Sequence, residues 1–259
     1  HCGTLMRDQW LFTSQQTQDE SLLDPLRLSL QLVRTVIEQQ EQQGVGDDAP
    51  AGGPGWAARR LLRSRRFWSI VEQYRLAGAD DRWDDLVLQY GTPYGRYRLS
   101  GDEKYLVEGL EALLGGVRYN TPLLTDEALH TDRVYVPGSE LVKAMLTGDQ
   151  SIDNTSPYYA VTWEHASEEF TALVREARTD RLEIEVFSHA AEAQRVAMRS
   201  WTLSPGRYRV RQERLQNADL TKSRIPAESF HLEQRGDRLW LRLPPHEHLV
   251  LVIEPTLRP

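Results

Sequence analysis

The chain has 259 residues, 40% hydrophobic and 27% charged, with 31 Lys and Arg against 38 Asp and Glu for a formal net charge of -7. That composition describes a folded protein with room for two domains. It excludes a membrane span, since no apolar run nears the ~18 residues one needs, and it lacks the basic footprint of a nucleic-acid binder.

A single cysteine, Cys2, rules out an internal disulfide and a cysteine-based zinc site. The opening His1-Cys2-Gly3, without an initiator Met or an apolar leader-like region, reads as a fragment or a processed form. From Leu22 to Gln43, Leu26, Leu30, Val33 and Ile37 recur at helical spacing with Gln, Glu and Arg opposite, and Asp24-Pro25 supplies a cap and a first-turn proline. Gly44 to Gly55, rich in Gly, Pro and Asp, reads as a flexible loop. A helix is expected from Trp56 to about Gly78, with Phe67, Ile70, Val71 and Tyr74 inward, and another from Asp80 to about Arg98. The latter carries Trp83, Val87 and Tyr90, and Pro93 between Gly91 and Gly95 should break or bend it. Ser100 and Glu103 match a capping box ahead of the stripe Leu106, Leu110, Leu113 and Val117, with Gly115-Gly116 weakening the end. After an irregular stretch from Tyr119 to Pro137, Ser139 is placed to cap a short helix with Leu141, Val142, Met145 and Leu146 inward and Gly148 as its stop.

Asp149 to Pro157 reads as a domain boundary, dividing a helical domain over 1–150 from a β domain over 158–259. Beyond it the apolar period becomes two, as in Leu182, Ile184, Val186 and in Leu239, Leu241, Leu243. Further strands are expected at Val161–Glu164, Thr171–Glu176, Arg195–Leu203, Tyr208–Glu213, Phe230–Gln234 and Leu249–Ile253, separated by turns such as Ser204-Pro205-Gly206, Arg235-Gly236-Asp237 and Pro244-Pro245. The fold class is therefore multidomain α and β: antiparallel helical hairpins followed by an antiparallel β-sandwich.

The phrase Leu99-Ser100-Gly101-Asp102-Glu103-Lys104-Tyr105-Leu106 resembles the wording at inter-helix turns of (α/α) toroid carbohydrate-active proteins. Leu241-Arg242-Leu243-Pro244-Pro245, followed by His248 to Glu254, resembles the closing strands of the β-sandwich appended to some polysaccharide lyases and glycoside hydrolases. The resemblance implies the C-terminal part of a polysaccharide-processing enzyme of lyase or hydrolase type, with a polysaccharide or oligosaccharide as partner and an extracytoplasmic setting. A complete toroid needs more helices than this chain offers, which implies an upstream helical segment or a reduced helical domain. The alternative is a noncatalytic carbohydrate-binding or scaffold module.

Candidate chemistry gathers in the long loop from Tyr119 to Gly138, which holds Tyr119, Asn120, Asp126, Glu127, His130, Asp132, Arg133 and Tyr135. A lyase acting on a uronic-acid sugar needs a group to neutralise the carboxylate, a base and an acid. Asn120 or Arg133 suits the first role, and Tyr119, His130 or Tyr135 the others. A hydrolase needs two carboxylates, for which Asp126 and Asp132 are the candidates. The alternative for the whole set is that these groups satisfy the loop's own backbone and that Arg133 pairs with a nearby acid. Tyr94 and Tyr97, near the break at Pro93, are candidate sugar platforms, whereas Trp83 and Tyr90 read as core. His246, Glu247 and His248 have metal-ligating side chains but lack a further ligand in view, so a structural or solvent-facing role is the expectation and no metal is assigned. The run Arg59, Arg60, Arg63, Arg65, Arg66 is expected to pair with Asp80, Asp81, Asp84 and Asp85. No phosphate-binding glycine loop, dinucleotide fingerprint or Gly-x-Ser-x-Gly elbow is present, so no cofactor is expected.

Overall fold

The computed structural model describes residues 14, 17, 19–43, 54–78, 80–120, 140–149, 159–166, 169–216 and 221–256. Among them, seven α-helices precede eight strands arranged in two antiparallel sheets. The chain divides into two compact units, one made of residues 1–109 with 150–156 and the other of 110–149 with 157–259.

In the first unit, Asp19 caps a 3-10 turn over Glu20–Leu23 by accepting from Ser21 N at 3.0 Å, and helix α1 (Asp24–Gln43) follows. Leu26, Leu30, Val33 and Val36 form its buried stripe, while Ile37 packs at the margin. The single helix expected from Trp56 is two, α2 (Pro54–Leu62) and α3 (Arg65–Gly78). The physical reason is Ser64, whose hydroxyl accepts from Phe67 N at 3.2 Å and so offers the backbone a fresh N-terminus. Trp68 then ties the joint by donating its indole N–H to Leu62 O at 2.9 Å.

The break expected at Pro93 is present, and Pro93 starts the next helix. A 3-10 turn over Asp81–Trp83 leads into α4 (Asp84–Tyr90), and α5 (Pro93–Ser100) begins with Thr92 as its cap, the hydroxyl accepting from Gly95 N at 3.0 Å. Helix α6 (Lys104–Asn120) follows Gly101, whose left-handed φ of 72° closes α5. Asp102, not Ser100, caps its first turn by accepting from Lys104 N at 3.0 Å, because Ser100 is already the last residue of α5. Helix α6 continues through Gly115-Gly116, and of its expected stripe only Leu106 is buried, with Leu110, Leu113 and Val117 partly so.

The second unit takes in α6 from Leu110 onward and holds α7 (Glu140–Thr147) and the strands β1 (Val161–Glu164), β2 (Phe170–Ala177), β3 (Leu182–Ser188), β4 (Gln194–Ser200), β5 (Gly206–Gln216), β6 (Thr221–Leu232), β7 (Arg238–Leu243) and β8 (His248–Pro255). The three-stranded sheet has the order β1-β4-β7 and the five-stranded sheet β2-β3-β8-β5-β6. One apolar cluster draws Val196, Met198, Leu241 and Leu243 from the first sheet and Val174, Ile184, Leu251 and Ile253 from the second. Each such side chain, fully removed from water, contributes roughly 1.5–3 kcal/mol. Helix α7 packs within this unit, where Trp163 donates its indole N–H to Leu146 O at 2.8 Å. Of the loop expected over Gly44 to Gly55, Pro54 and Gly55 instead open α2 and the rest lies outside the described residues, as do the Ser139 cap and most of the boundary stretch.

Candidate functional site

The sequence-predicted site is only partly within the described residues. Tyr119 stands 78% exposed at the end of α6, and Asn120 is the last residue of that helix. Asp126, Glu127, His130, Asp132, Arg133 and Tyr135 lie outside the described residues. Tyr94 and Tyr97 are 1% and 6% exposed, so the break at Pro93 does not set them at a cleft. Their rings face each other at 6.4 Å, and the Arg98 guanidinium covers Tyr94 while donating to its hydroxyl at 3.2 Å. Neither ring presents a stacking face to solvent.

Three of the four acidic residues expected to pair with the run in 59–66 are bound by other arginines. Asp80 binds Arg82 at 2.8 Å, Asp85 binds Arg34 at 2.8 Å, and Asp84 binds Arg75 at 2.5 and 3.1 Å. His246, Glu247 and His248 diverge: His248 meets Glu185, Glu247 lies 2.7 Å from Arg214, and His246 occupies a turn with φ of 53°. Among the described residues no group of three metal-ligating side chains forms.

A different constellation is built by β4 and β7. Alternation sends Leu239, Leu241 and Leu243 inward and leaves Arg238, Trp240 and Arg242 on the opposite face. The antiparallel register sets Arg199 across from Arg238, Ala197 across from Trp240 and Arg195 across from Arg242. Like charges directly opposite destabilise a sheet unless a counter-charge intervenes. For the first pair, Glu164 of β1 supplies it, its two carboxylate oxygens lying 2.5 Å from Arg199 Nε and 2.6 Å from Arg238 Nε. These bonds hold the Glu164 carboxyl below the ordinary carboxylate range. For the second pair, Arg195 and Arg242, no carboxylate stands within ion-pair distance among the described residues.

Beside that uncompensated pair lies a cavity of about 810 Å³ along the open edge of β7. Arg195 and Gln194 line it from β4, Trp240 and Arg242 from β7, and Gln212 and Arg214 from β5, with Pro244 and Pro245 closing one end. Trp240 is 39% exposed. The Arg195 guanidinium sits 4.2 Å from its ring centroid, and His165, held at φ of 59°, stacks at 5.5 Å and 20°. The arrangement gathers an indole in contact with a guanidinium and an imidazole, two further arginines and two amides. Among the described residues that line it, none carries a carboxylic acid, imidazole or thiol. No sequence motif marks this site, although the alternation Arg238-Leu239-Trp240-Leu241-Arg242-Leu243 already places a tryptophan between two arginines on one face.

No family model and no curated protein matches the chain. Among solved structures, it is similar to a provisionally assigned alpha-N-acetylgalactosaminidase from Bacillus halodurans C-125, with 12% identity over 38% of this chain and 21% of that one and a TM-score of 0.24. It is also similar to KdgF from a Halomonas species, with 9% identity, 37% of this chain, 88% of that one and a TM-score of 0.18. The Avr2 effector of the fungal plant pathogen Fusarium oxysporum gives 14% identity, 37% and 71% coverage and a TM-score of 0.17. The chain thus spans about a fifth of the first of these proteins, and at such TM-scores none of the three defines a fold or a function for it.

Proposed function

We propose that the β-rich unit binds an acidic saccharide in the cavity along β7, as the glycan-holding part of a polysaccharide-processing protein. The observation that carries this reading is the Arg195–Arg242 pair, uncompensated by any described carboxylate and set beside the exposed ring of Trp240. A sugar ring stacks its C–H face on an aromatic, and a pendant carboxylate or sulfate replaces the counter-charge that Glu164 gives the neighbouring arginines. In this reading the two sheets are the layers of a sandwich, supported by the apolar cluster they share, and the helices belong to an (α/α) toroid, with the division near residues 150–158. Affinity electrophoresis through gels containing polygalacturonate or neutral dextran tests the binding. Retardation by polygalacturonate alone is expected, and equal mobility in both gels would contradict it.

Catalysis of lyase or hydrolase type is the second reading, favoured by the phenol of Tyr119, exposed at the end of α6 where the candidate loop begins. In it, Asn120 or Arg133 neutralises the sugar's carboxylate and Tyr119, His130 or Tyr135 transfers protons. Product formation by the parent, lost in Arg133→Ala, His130→Ala and Tyr135→Phe with folding intact, supports this reading. Retardation without product leaves the noncatalytic binding module.

A further inference from the structure

Resting on that reading of the cavity, we infer that Arg195 selects the ligand by occupying Trp240 until an anion draws it away. The guanidinium lies 4.2 Å from the ring centroid, at the distance of a cation-π contact, so it competes for the aromatic surface on which a sugar would stack. Arg195 is exposed and has no ion-pair partner among the described residues, and Arg242 lies directly across the strand pair. A neutral glycan must displace the guanidinium from the ring and gains no compensating contact. An acidic glycan places its anion between Arg195 and Arg242, relieves their repulsion and uncovers the ring by the same movement.

Other features carry less. On the five-stranded sheet Arg181 is bound to Glu176, Glu183 and Glu254, and Arg211 to Glu254. The buried Glu72 carboxyl is satisfied by Thr92.

The experiment is calorimetric titration of the full chain and of Arg195→Gln, Arg242→Gln and Trp240→Ala with cellohexaose, hexagalacturonate and a short dextran sulfate. Glutamine keeps a polar side chain but removes the charge and the cation-π contact. Arg195→Gln is expected to raise affinity for cellohexaose about two- to fivefold, the strength of an exposed cation-π contact. The same variant should lower affinity for the anionic ligands about tenfold. Arg242→Gln should weaken the anionic ligands and leave cellohexaose unchanged. A preference between hexagalacturonate and dextran sulfate tells whether the anion is a carboxylate or a sulfate ester. Unchanged or reduced cellohexaose affinity in Arg195→Gln overturns the selection by Arg195, while the site itself stands if Trp240→Ala abolishes binding. If Trp240→Ala binds every ligand like the parent, the cavity is not the site and both conclusions fall.

Discussion

Glu72 shows how one buried carboxyl can fix a joint. It sits on α3 with 1% exposure, and its oxygens accept from Thr92 N at 2.5 Å and Thr92 Oγ1 at 2.8 Å. Gly95 is required there, because a Cβ would come within 2.0 Å of the Glu72 carboxyl carbon. Gly95→Ala should therefore cost about 1–3 kcal/mol, read from urea unfolding. Burial pushes the Glu72 carboxyl up to about 8, against the opposing pull of the Thr92 bonds and the Arg96 charge. A raised folded-state pKa means the native unit prefers the protonated acid. Its contribution to stability is full below the unfolded value near 4.5 and is lost as pH rises through about 8. Urea unfolding followed at 222 nm should show stability falling as pH rises from about 5 to about 8 and levelling off above that, and Glu72→Gln should flatten the fall. An identical slope in the variant would assign the pH dependence elsewhere. Nothing in the sequence marks this joint, since Glu72 and Thr92 are twenty positions apart and meet only through packing.

At the scale of the element, legibility followed periodicity. The two-residue alternation of Leu182, Ile184 and Val186 and of Leu239, Leu241 and Leu243 marks β3 and β7, because one face of each strand is buried. The proline at 93 announces a break, yet whether proline ends one helix or starts the next depends on the residue before it, here the capping Thr92. The break at Ser64 was illegible, since a serine inside a helical pattern is ordinary until its hydroxyl caps Phe67. The candidate site was legible only in half: alternation puts Trp240 and Arg242 on one face, but cross-strand register, which pairs Arg242 with Arg195, is a long-range fact. That pairing has a consequence for stability. Arg242→Gln should raise Tm by about 1 °C while weakening hexagalacturonate binding, because no described carboxylate offsets the like charges that face each other across this strand pair. Arg238→Gln should lower Tm, since it removes a partner of Glu164. Calorimetric melting of both variants checks the opposite signs.

For the whole molecule, the order of helical periods before two-residue alternation foretold helices followed by strands, and the net charge of -7 with scattered arginines argued against a nucleic-acid partner. The sum conceals the distribution: acidic residues elsewhere coexist with Arg195, Arg214 and Arg242 around one cavity. Binding governed by those arginines should weaken several-fold for hexagalacturonate between 50 and 300 mM NaCl, as the screening length shrinks from ~14 Å to ~6 Å. Cellohexaose binding should not change over the same range. The most direct test of the cavity along β7 is titration of the full chain with hexagalacturonate, followed through the indole N–H resonances of its seven tryptophans. The resonance lost in Trp240→Phe should move furthest, while those of Trp68 and Trp83, buried among the helices, stay in place. Saturable movement of other indoles with Trp240 unmoved would contradict the assignment.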